Sequence, residues 1–431
     1  MRALFSRIGR AELLLVTALL WFMGKFLRYS FPPLFEPLQA TYGVSNAEVG
    51  FAFTGFMIVY AAMQLPSGVL ADRLGSVKVI TGGGLLAGVA ALALAVESPF
   101  FVLAAVMLFM GAGTGVHKTV AVRLLSRTYP SRTGGALGIL DTFGAFGGVV
   151  APAAVVVFVG LAGPGGQGWR TLFLLAGLVG IALSIWFVIR APQWVPDDEL
   201  DPGGEESGSD GAGNGDGDGA GNGDGDGDGD DLPGVRSYLA LFRDPRFSAF
   251  VVVTILFSFT YNGVVAFLPL YLTTEAGLAL SANLIYSALF AASLVQLITG
   301  DASDRVGQLP VITLTLGLAA AALVSLLVLT PTGNPLFLGI AAVAIGLGSH
   351  GFRPVRGAYL MSVVPTSISG GGLGIVRTLL MSAGAISPAI VGVLSETVGF
   401  RPAFWLLAVS VSGATALAGA LLVLDYGDRR A

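Results

Sequence analysis

Apolar windows of about 20 residues recur along the chain, and polar residues are concentrated between them. A helix needs roughly 20 apolar residues to cross the hydrocarbon core of a bilayer. Twelve windows of this kind are present, at residues 11–35, 46–71, 77–97, 100–126, 134–160, 171–190, 247–272, 281–301, 309–330, 335–361, 370–394 and 402–424. The pattern predicts an all-α polytopic membrane protein with twelve transmembrane helices.

A polar segment separates the first six windows from the last six. Residues 197–231 consist mainly of Gly, Asp, Glu, Ser and Asn, so this stretch has too little apolar surface to bury a core. We predict a disordered acidic linker at 195–235, between an N-terminal half, 1–194, and a C-terminal half, 236–431. Calcium binding by the Asp-Gly repeats is the alternative, but the repeats lack the apolar position of calcium-binding repeats.

Basic residues in the loops predict the orientation, because cytoplasmic loops are enriched in Lys and Arg. The loops on one side carry Arg2, Arg7, Arg10, Arg73, Lys78, Arg123, Arg127, Arg132, Arg190, Arg236, Arg243, Arg246, Arg429 and Arg430. The opposite loops carry only Arg170 and Arg401. Both termini and the linker are therefore expected in the cytoplasm, with the chain in the plasma membrane.

The two halves repeat each other in sequence. QLPSGVLADRLG at Gln64–Gly75 matches QLITGDASDRVG at Gln296–Gly307, at an offset of 232 residues. LGILDT at Leu137–Thr142 matches LGIVRT at Leu373–Thr378, at an offset of 236 residues. A parallel six-plus-six repeat is typical of secondary transporters whose substrate site lies near the membrane midplane, between the halves.

The stretch GVLADRLGSVK at Gly68–Lys78 resembles the loop signature of the major facilitator superfamily, and Gly300–Gly307 resembles its degenerate second copy. Ser76 and Val77 depart from it, because the family usually has a basic residue there. The resemblance covers both halves. It implies two pseudo-symmetric six-helix halves, alternating access, and a cavity lined by the first, fourth, seventh and tenth helices, with the fifth and eleventh beside it.

The resemblance also implies that this loop latches one access state. Glycine permits close approach and tight turns, and Asp72 is placed where a helix N-terminus or a basic side chain would stabilise it. The alternative is a loop that serves topology alone. The predicted gating residues are Gly68, Asp72, Arg73, Gly75, Lys78, Asp304 and Arg305.

Composition excludes several other functions. The chain has no cysteine and two histidines, so disulfides, thiolate nucleophiles and metal clusters are not expected. No paired nucleophile and base appears, and no signalling domain is recognisable. We therefore expect a monomeric protein that is not an enzyme or a sensor, and that requires no cofactor and binds no nucleic acid.

Charged residues inside membrane helices are costly and usually mark a cavity or an ion pair. Arginine binds carboxylates and similar oxyanions through two parallel hydrogen bonds. The predicted helices that would line the cavity carry many more cations than carboxylates, which predicts an electropositive path for an anion. The predicted substrate-binding residues are Arg28, Lys25, Lys118, Arg353, Arg377, Tyr261 and Asn262, with Arg28 as the first candidate.

Some of these residues have structural alternatives. Arg353 and Arg356 are long enough to snorkel to the cytoplasmic surface. Asp141 and Arg377 occupy equivalent positions in the two halves, so they are also candidates for a structural or gating ion pair. Tyr261 and Asn262 would equally suit a hydrogen bond between helices.

The leading hypothesis is a secondary transporter that moves a small anion with proton coupling. Coupling needs a group that titrates near the working pH, and Asp141 is the first candidate and His117 the second. The alternative is a proton-coupled efflux transporter of neutral lipophilic compounds. Cationic drugs are less suitable substrates, because the first helix carries Lys25 and Arg28 where family exporters of such drugs often place a carboxylate.

Overall fold

The computed structural model describes residues 2–161, 163, 166–195, 200, 241–363 and 369–428, and these form helices with no strand. Ten of the twelve helical elements are continuous, and α2 and α8 are each interrupted once. Their bounds are α1 Arg2–Tyr42, α2 Asn46–Ala62 and Gln64–Leu74, α3 Ser76–Leu94, α4 Phe100–Thr128, α5 Thr133–Val159, α6 Gly168–Arg190, α7 Pro245–Ala276, α8 Ala279–Ala291 and Gln296–Val306, α9 Gln308–Leu329, α10 Pro335–Val363, α11 Ser369–Thr397 and α12 Phe400–Asp428.

The predicted number and order of helices are confirmed. Within the described residues, eleven elements, α2 to α12, are long and apolar enough to cross a membrane. The remaining element, α1, has 41 residues, carries Lys25 and Arg28, and packs along α5 and α6 inside the bundle. The first predicted window, 11–35, therefore lies within α1, the helix that carries Lys25 and Arg28.

Local sequence explains several of the helix ends. The Ser45 hydroxyl accepts a hydrogen bond from the Glu48 amide and the Glu48 carboxylate accepts one from the Ser45 amide, so α2 begins with a capping box. Gly75 and Gly307 have φ of 86° and 93°, a region that strongly favours glycine. These two glycines end α2 and α8 at the same point of the two repeats, as the tight turns expected there require.

Within the described residues, the most extensive contacts between the two halves join α1 with α7, α2 with α11, and α5 with α8. The tightest of these contacts joins the start of α2 to the end of α11. A Cβ atom on Gly50 would lie 2.6 Å from the Pro388 carbonyl oxygen, and one on Gly392 would lie 2.6 Å from the Asn46 carbonyl oxygen. The helices therefore touch backbone to backbone at this end of the interface.

Hydrogen bonds reinforce the same end. The Ala389 amide donates to Thr54 Oγ1 at 2.9 Å, and the Ala47 amide donates to the Glu396 carboxylate at 3.2 Å. Because each bond joins one half to the other, this end of the bundle is closed.

The predicted acidic segment, residues 197–231, lies almost entirely outside the described residues. The linker at 195–235 and the two half boundaries that depend on it stay predictions.

Candidate functional site

A cavity of about 520 Å³ lies between the two halves. Its walls come from α1, α2, α4 and α5 of one half and α7, α8, α10 and α11 of the other. Among the charged lining residues, Arg28 is buried at 7% exposed, and the Asp141 side chain is 64% exposed. The cavity therefore opens at the end of the bundle that carries the loops after α2 and α8, opposite the closed end.

Arg28 lies at the deep end of the cavity. Its Nη2 donates to Asn262 Oδ1 of the other half at 3.1 Å. Its guanidinium carbon lies 5.3 Å from the centre of the Tyr29 ring and 5.2 Å from that of Tyr60. Its Nε has no hydrogen-bond partner among the described residues. Arg28 is thus held in place from two sides while one of its buried donors remains unsatisfied.

Aromatic rings hold the other cations of the N-terminal half. Lys25 Nζ lies 4.7 Å from the Trp21 ring centre and 5.5 Å from that of Tyr29. Lys118 Nζ lies 5.6 Å from the same Trp21 ring and forms an ion pair with Asp141. Cation–π contacts of this kind stabilise a charge without neutralising it.

Close approach of α5 brings these groups together. A Cβ atom on Gly144 would overlap the Trp21 indole, and one on Gly147 would lie 2.6 Å from the Phe22 carbonyl oxygen. The glycines of α5 therefore bring α1 and its cations against Lys118 and Asp141.

The tenth helix contributes Arg353 and Arg356, two of the cations that the C-terminal half provides to the cavity. The Arg353 guanidinium carbon lies 4.3 Å from the Tyr261 ring centre, and Arg356 is 5.9 Å from that of Phe352. Both arginines line the cavity, so neither snorkels away from it. Gly348 faces the opposite way, against the α9 backbone, where a Cβ atom would lie 2.5 Å from the Thr315 carbonyl oxygen.

His350 belongs to the same wall and is 2% exposed. Its ring stands edge-on to Tyr261, with centroids 5.8 Å apart, and lies 5.9 Å from that of Phe290. Neither ring nitrogen has a hydrogen-bond partner in the described part of the chain. The deep end thus contains a second buried polar group with unused hydrogen-bonding capacity.

Charge is unevenly balanced in this cavity. Among the described residues, its lining includes one carboxylate, Asp141, and six cationic side chains, Lys25, Arg28, Lys118, Arg353, Arg356 and Arg377. Asp141 pairs with Lys118 and not with Arg377. Arg377 donates instead to the amide oxygen of Gln64 in the other half. Five of the cations therefore have no ion pair with a carboxylate of the described chain.

All seven predicted substrate-binding residues lie together. Arg28, Lys25, Lys118, Arg353, Arg377, Tyr261 and Asn262 all line this one cavity, as does Asp141. His117 does not line it. Its Nε2 donates to the Thr17 carbonyl oxygen at 3.0 Å, and its ring stacks on Trp21 at 5.9 Å.

The predicted gating residues lie outside the cavity lining. Asp72 forms an ion pair with Arg123 of α4. In the second copy, Arg305 pairs with Asp301, 2.9 Å away, and Asp304 is exposed. A Cβ atom on Gly68 would lie 3.9 Å from Thr119 Cγ2, an ordinary contact, so the close approach expected at Gly68 is absent in this conformation.

Several lining residues were not among the predicted site residues. They include Trp21, Tyr29, Tyr60, Gln64, Phe290, Gln296, His350 and Arg356. Gln64 and Gln296 are the first residues of the two repeated motifs, so the repeat itself was a signal for this pair. Trp21 and Tyr29 lie one turn from Lys25 on either side, which is where partners of a buried cation on a helix would be expected.

Comparisons with known proteins agree with this fold. The family model described as Major Facilitator Superfamily matches residues 13–349 and 282–431. A bacterial homologue of the human lysosomal transporter Spinster, solved in an inward-facing and unoccupied conformation, superposes with a TM-score of 0.76. The match covers 96% of this chain and 97% of that one at 16% sequence identity, so it shows the fold alone.

Three curated relatives differ in what their names say they carry. A probable sulfoacetate transporter of Cupriavidus necator is 28% identical over 184 residues, 42% of this chain and 42% of that protein. A D-galactonate transporter of Escherichia coli O6:H1 is 24% identical over 426 residues, 91% of this chain and 89% of that protein. A multidrug resistance protein B homologue of Mycobacterium tuberculosis is 27% identical over 158 residues, 36% of this chain and 28% of that protein. The chain thus matches less than half of the first and third relatives.

Proposed function

Because the chain belongs to the major facilitator superfamily and is a transporter and not an enzyme, we propose that it carries a small organic anion across the membrane by alternating access. The observation that supports this substrate class is the charge of the cavity. Five cations there have no carboxylate partner in the described chain, and Arg28 and His350 have unpaired buried nitrogens.

Electrostatics favours an anion in such a place. Two opposite unit charges 4 Å apart attract by about 4 kcal/mol at an effective dielectric constant of 20, and by about 1 kcal/mol in water. An anion in the cavity is therefore attracted to a cation more strongly than it would be in water. Arg28 can also donate a charge-assisted hydrogen bond to it. A cationic compound would meet the same field as repulsion.

The relatives support the same class, since sulfoacetate and D-galactonate are both small organic anions. The multidrug relative keeps a transporter of neutral lipophilic compounds as the second candidate. The cavity favours the anion, because burying five unpaired cations would be costly in a site built for neutral ligands.

Alternating access would use the two ends of the interface in turn. The end at Gly50 and Gly392 is closed by backbone contact, and the opposite end is open. From the basic residues of the loops, we place both termini in the cytoplasm and the chain in the plasma membrane, so the open end faces the cytoplasm. The Asp72–Arg123 pair, which joins the end of α2 to α4, would latch the conformation that is open to the cytoplasm.

We assign proton coupling to Asp141. This carboxylate is at the exposed mouth of the cavity and pairs with Lys118, which also contacts the Trp21 ring beside Lys25. Protonation of Asp141 would free Lys118 for the substrate, which links the two events through one ion pair. His117 bonds to the Thr17 carbonyl outside the cavity, so we give it no part in coupling.

A thermal-shift panel on the purified protein tests the substrate class. It compares small carboxylates, sulfonates, sugars, lipophilic cations and neutral lipophiles at one ionic strength, because a ligand of the folded state raises its apparent stability. We expect stabilisation by organic anions in the wild type and in Arg401→Gln, an exposed control, and its loss in Arg28→Gln. Uptake in proteoliposomes then checks that the ligand is moved. Stabilisation confined to neutral lipophiles would support the exporter instead.

A further inference from the structure

Two arginines reach across the interface to amide side chains of the opposite half. Arg28 of the N-terminal half donates to Asn262 of α7, and Arg377 of the C-terminal half donates to Gln64 of α2. The two contacts are reciprocal, because each half provides one guanidinium and one amide. Both pairs line the central cavity.

A neutral amide is a weak partner for a guanidinium. A carboxylate adds its own negative charge to the bond and accepts two parallel hydrogen bonds from arginine, whereas an amide oxygen carries no charge. An anionic group that reaches either arginine would therefore displace the amide. Lys25 and Arg353 differ, because aromatic rings hold them, and a ligand does not need to displace those rings.

The two arginine–amide pairs are a short distance apart. Arg28 contacts the Tyr60 ring, and Gln64 follows Tyr60 by four residues along α2. Four helical residues rise about 6 Å. This separation, extended by the reach of each guanidinium, fits two anionic groups joined by a short carbon chain.

We propose that the substrate of this cavity is a dianion with two anionic ends, one bound by Arg28 and the other by Arg377. This inference rests on the proposed function and names the substrate class more closely. Each arginine–amide bond joins the two halves, so a ligand that displaces both amides releases two contacts across the interface. A monoanion releases only one, and the halves stay connected through the other.

Isosteric probes test the proposal. Succinate and succinamate have the same length, but succinamate has a carboxamide in place of one carboxylate. At pH 7.5 and fixed ionic strength, the purified full-length protein should bind the preferred member of the series malonate to adipate at least tenfold more tightly than its monoamide. In preloaded proteoliposomes, that dianion should exchange at least tenfold faster than the monoamide.

Variants show whether the two arginines produce the preference. Arg28→Gln and Arg377→Gln should each reduce the ratio of dianion to monoamide affinity to within about twofold of one, and exposed Arg401→Gln should keep it. Gln64→Glu retains Arg377 but supplies it with an internal carboxylate, so this variant should lose the preference too, even if Arg377→Gln fails to fold.

The outcomes separate this inference from the proposed function. Equal binding of dianions and monoamides at every chain length would overturn the two-ended site while the anion transporter stands. A preference that survives in both Arg377→Gln and Gln64→Glu would do the same. If no carboxylate or sulfonate binds at all, the anion class and this inference fail together.

Discussion

The substitution Asn262→Asp tests most directly whether Arg28 binds the transported anion. It replaces one side-chain nitrogen by oxygen and leaves the shape of the side chain nearly unchanged. In the wild type, Arg28 Nη2 donates to Asn262 Oδ1 at 3.1 Å, so the new carboxylate would lie within ion-pair distance of the guanidinium. It would occupy the position that we assign to the substrate's anionic group.

The magnitude follows from the two kinds of hydrogen bond. A neutral acceptor contributes a net of about 0.5–1.5 kcal/mol, and a charged one about 1.5–3 kcal/mol. A substrate must then displace a partner that is stronger by about 1–1.5 kcal/mol, which corresponds to roughly 5- to 12-fold weaker binding. Asn262→Ala, the matched control, removes the neutral acceptor that the ligand displaces, so it should leave the affinity unchanged or raise it.

The assay is a titration of both variants with whichever anion stabilises the wild type, at one ionic strength. Without ligand, Asn262→Asp should melt above the wild type, because one buried cation gains a partner. The reasoning is refuted if Asn262→Asp binds the anion as tightly as Asn262→Ala does, since Arg28 would then lie outside the binding site.

Three further predictions concern packing, coupling and gating. Gly144→Ala places a Cβ atom into the Trp21 indole and should lower the free energy of unfolding by about 1–3 kcal/mol. Gly138→Ala, the control, has open space around its Cβ and should melt like the wild type. Equal melting temperatures of the two variants would contradict the α1–α5 packing. Asp141→Asn should abolish accumulation driven by a pH gradient but keep substrate exchange in the same vesicles, and intact accumulation would remove Asp141 from coupling. Asp72→Asn removes an ion pair that contributes at most about 1 kcal/mol to stability, so the protein should still fold. Because the pair lies outside the cavity, transport should slow while substrate affinity stays unchanged. A change in affinity with no change in rate would argue against a gating role.

The helices were predictable because lipid imposes one requirement on every span. A backbone in hydrocarbon must satisfy its own hydrogen bonds, so each long apolar window has to be helical. The helix ends were harder to predict. The first window ends at residue 35, yet α1 runs through Pro32, Pro33 and Pro37 to Tyr42, because neighbouring helices compensate for the missing donors of proline.

The site was predictable in composition but not in detail. Apolar windows report which helix carries a cation, and they say little about how that helix is rotated. Successive residues of an α-helix point about 100° apart, so Lys118 faces the cavity while His117 turns toward Thr17. The equivalent positions of Asp141 and Arg377 in the two halves made them candidates for an ion pair. In the structure, Asp141 pairs with Lys118 and Arg377 donates to Gln64.

The contact between Arg28 and Asn262 has a consequence for how a ligand is oriented. The two residues are 234 apart, between the offsets of 232 and 236 that relate the two repeats, so they occupy nearly equivalent positions of a duplicated chain. A cavity with true two-fold symmetry would accept any ligand in two interchangeable poses. Here one of the two equivalent positions carries the Arg28 guanidinium and the other carries the Asn262 amide, so the two poses differ in energy. A ligand with unlike ends should therefore bind in a single pose.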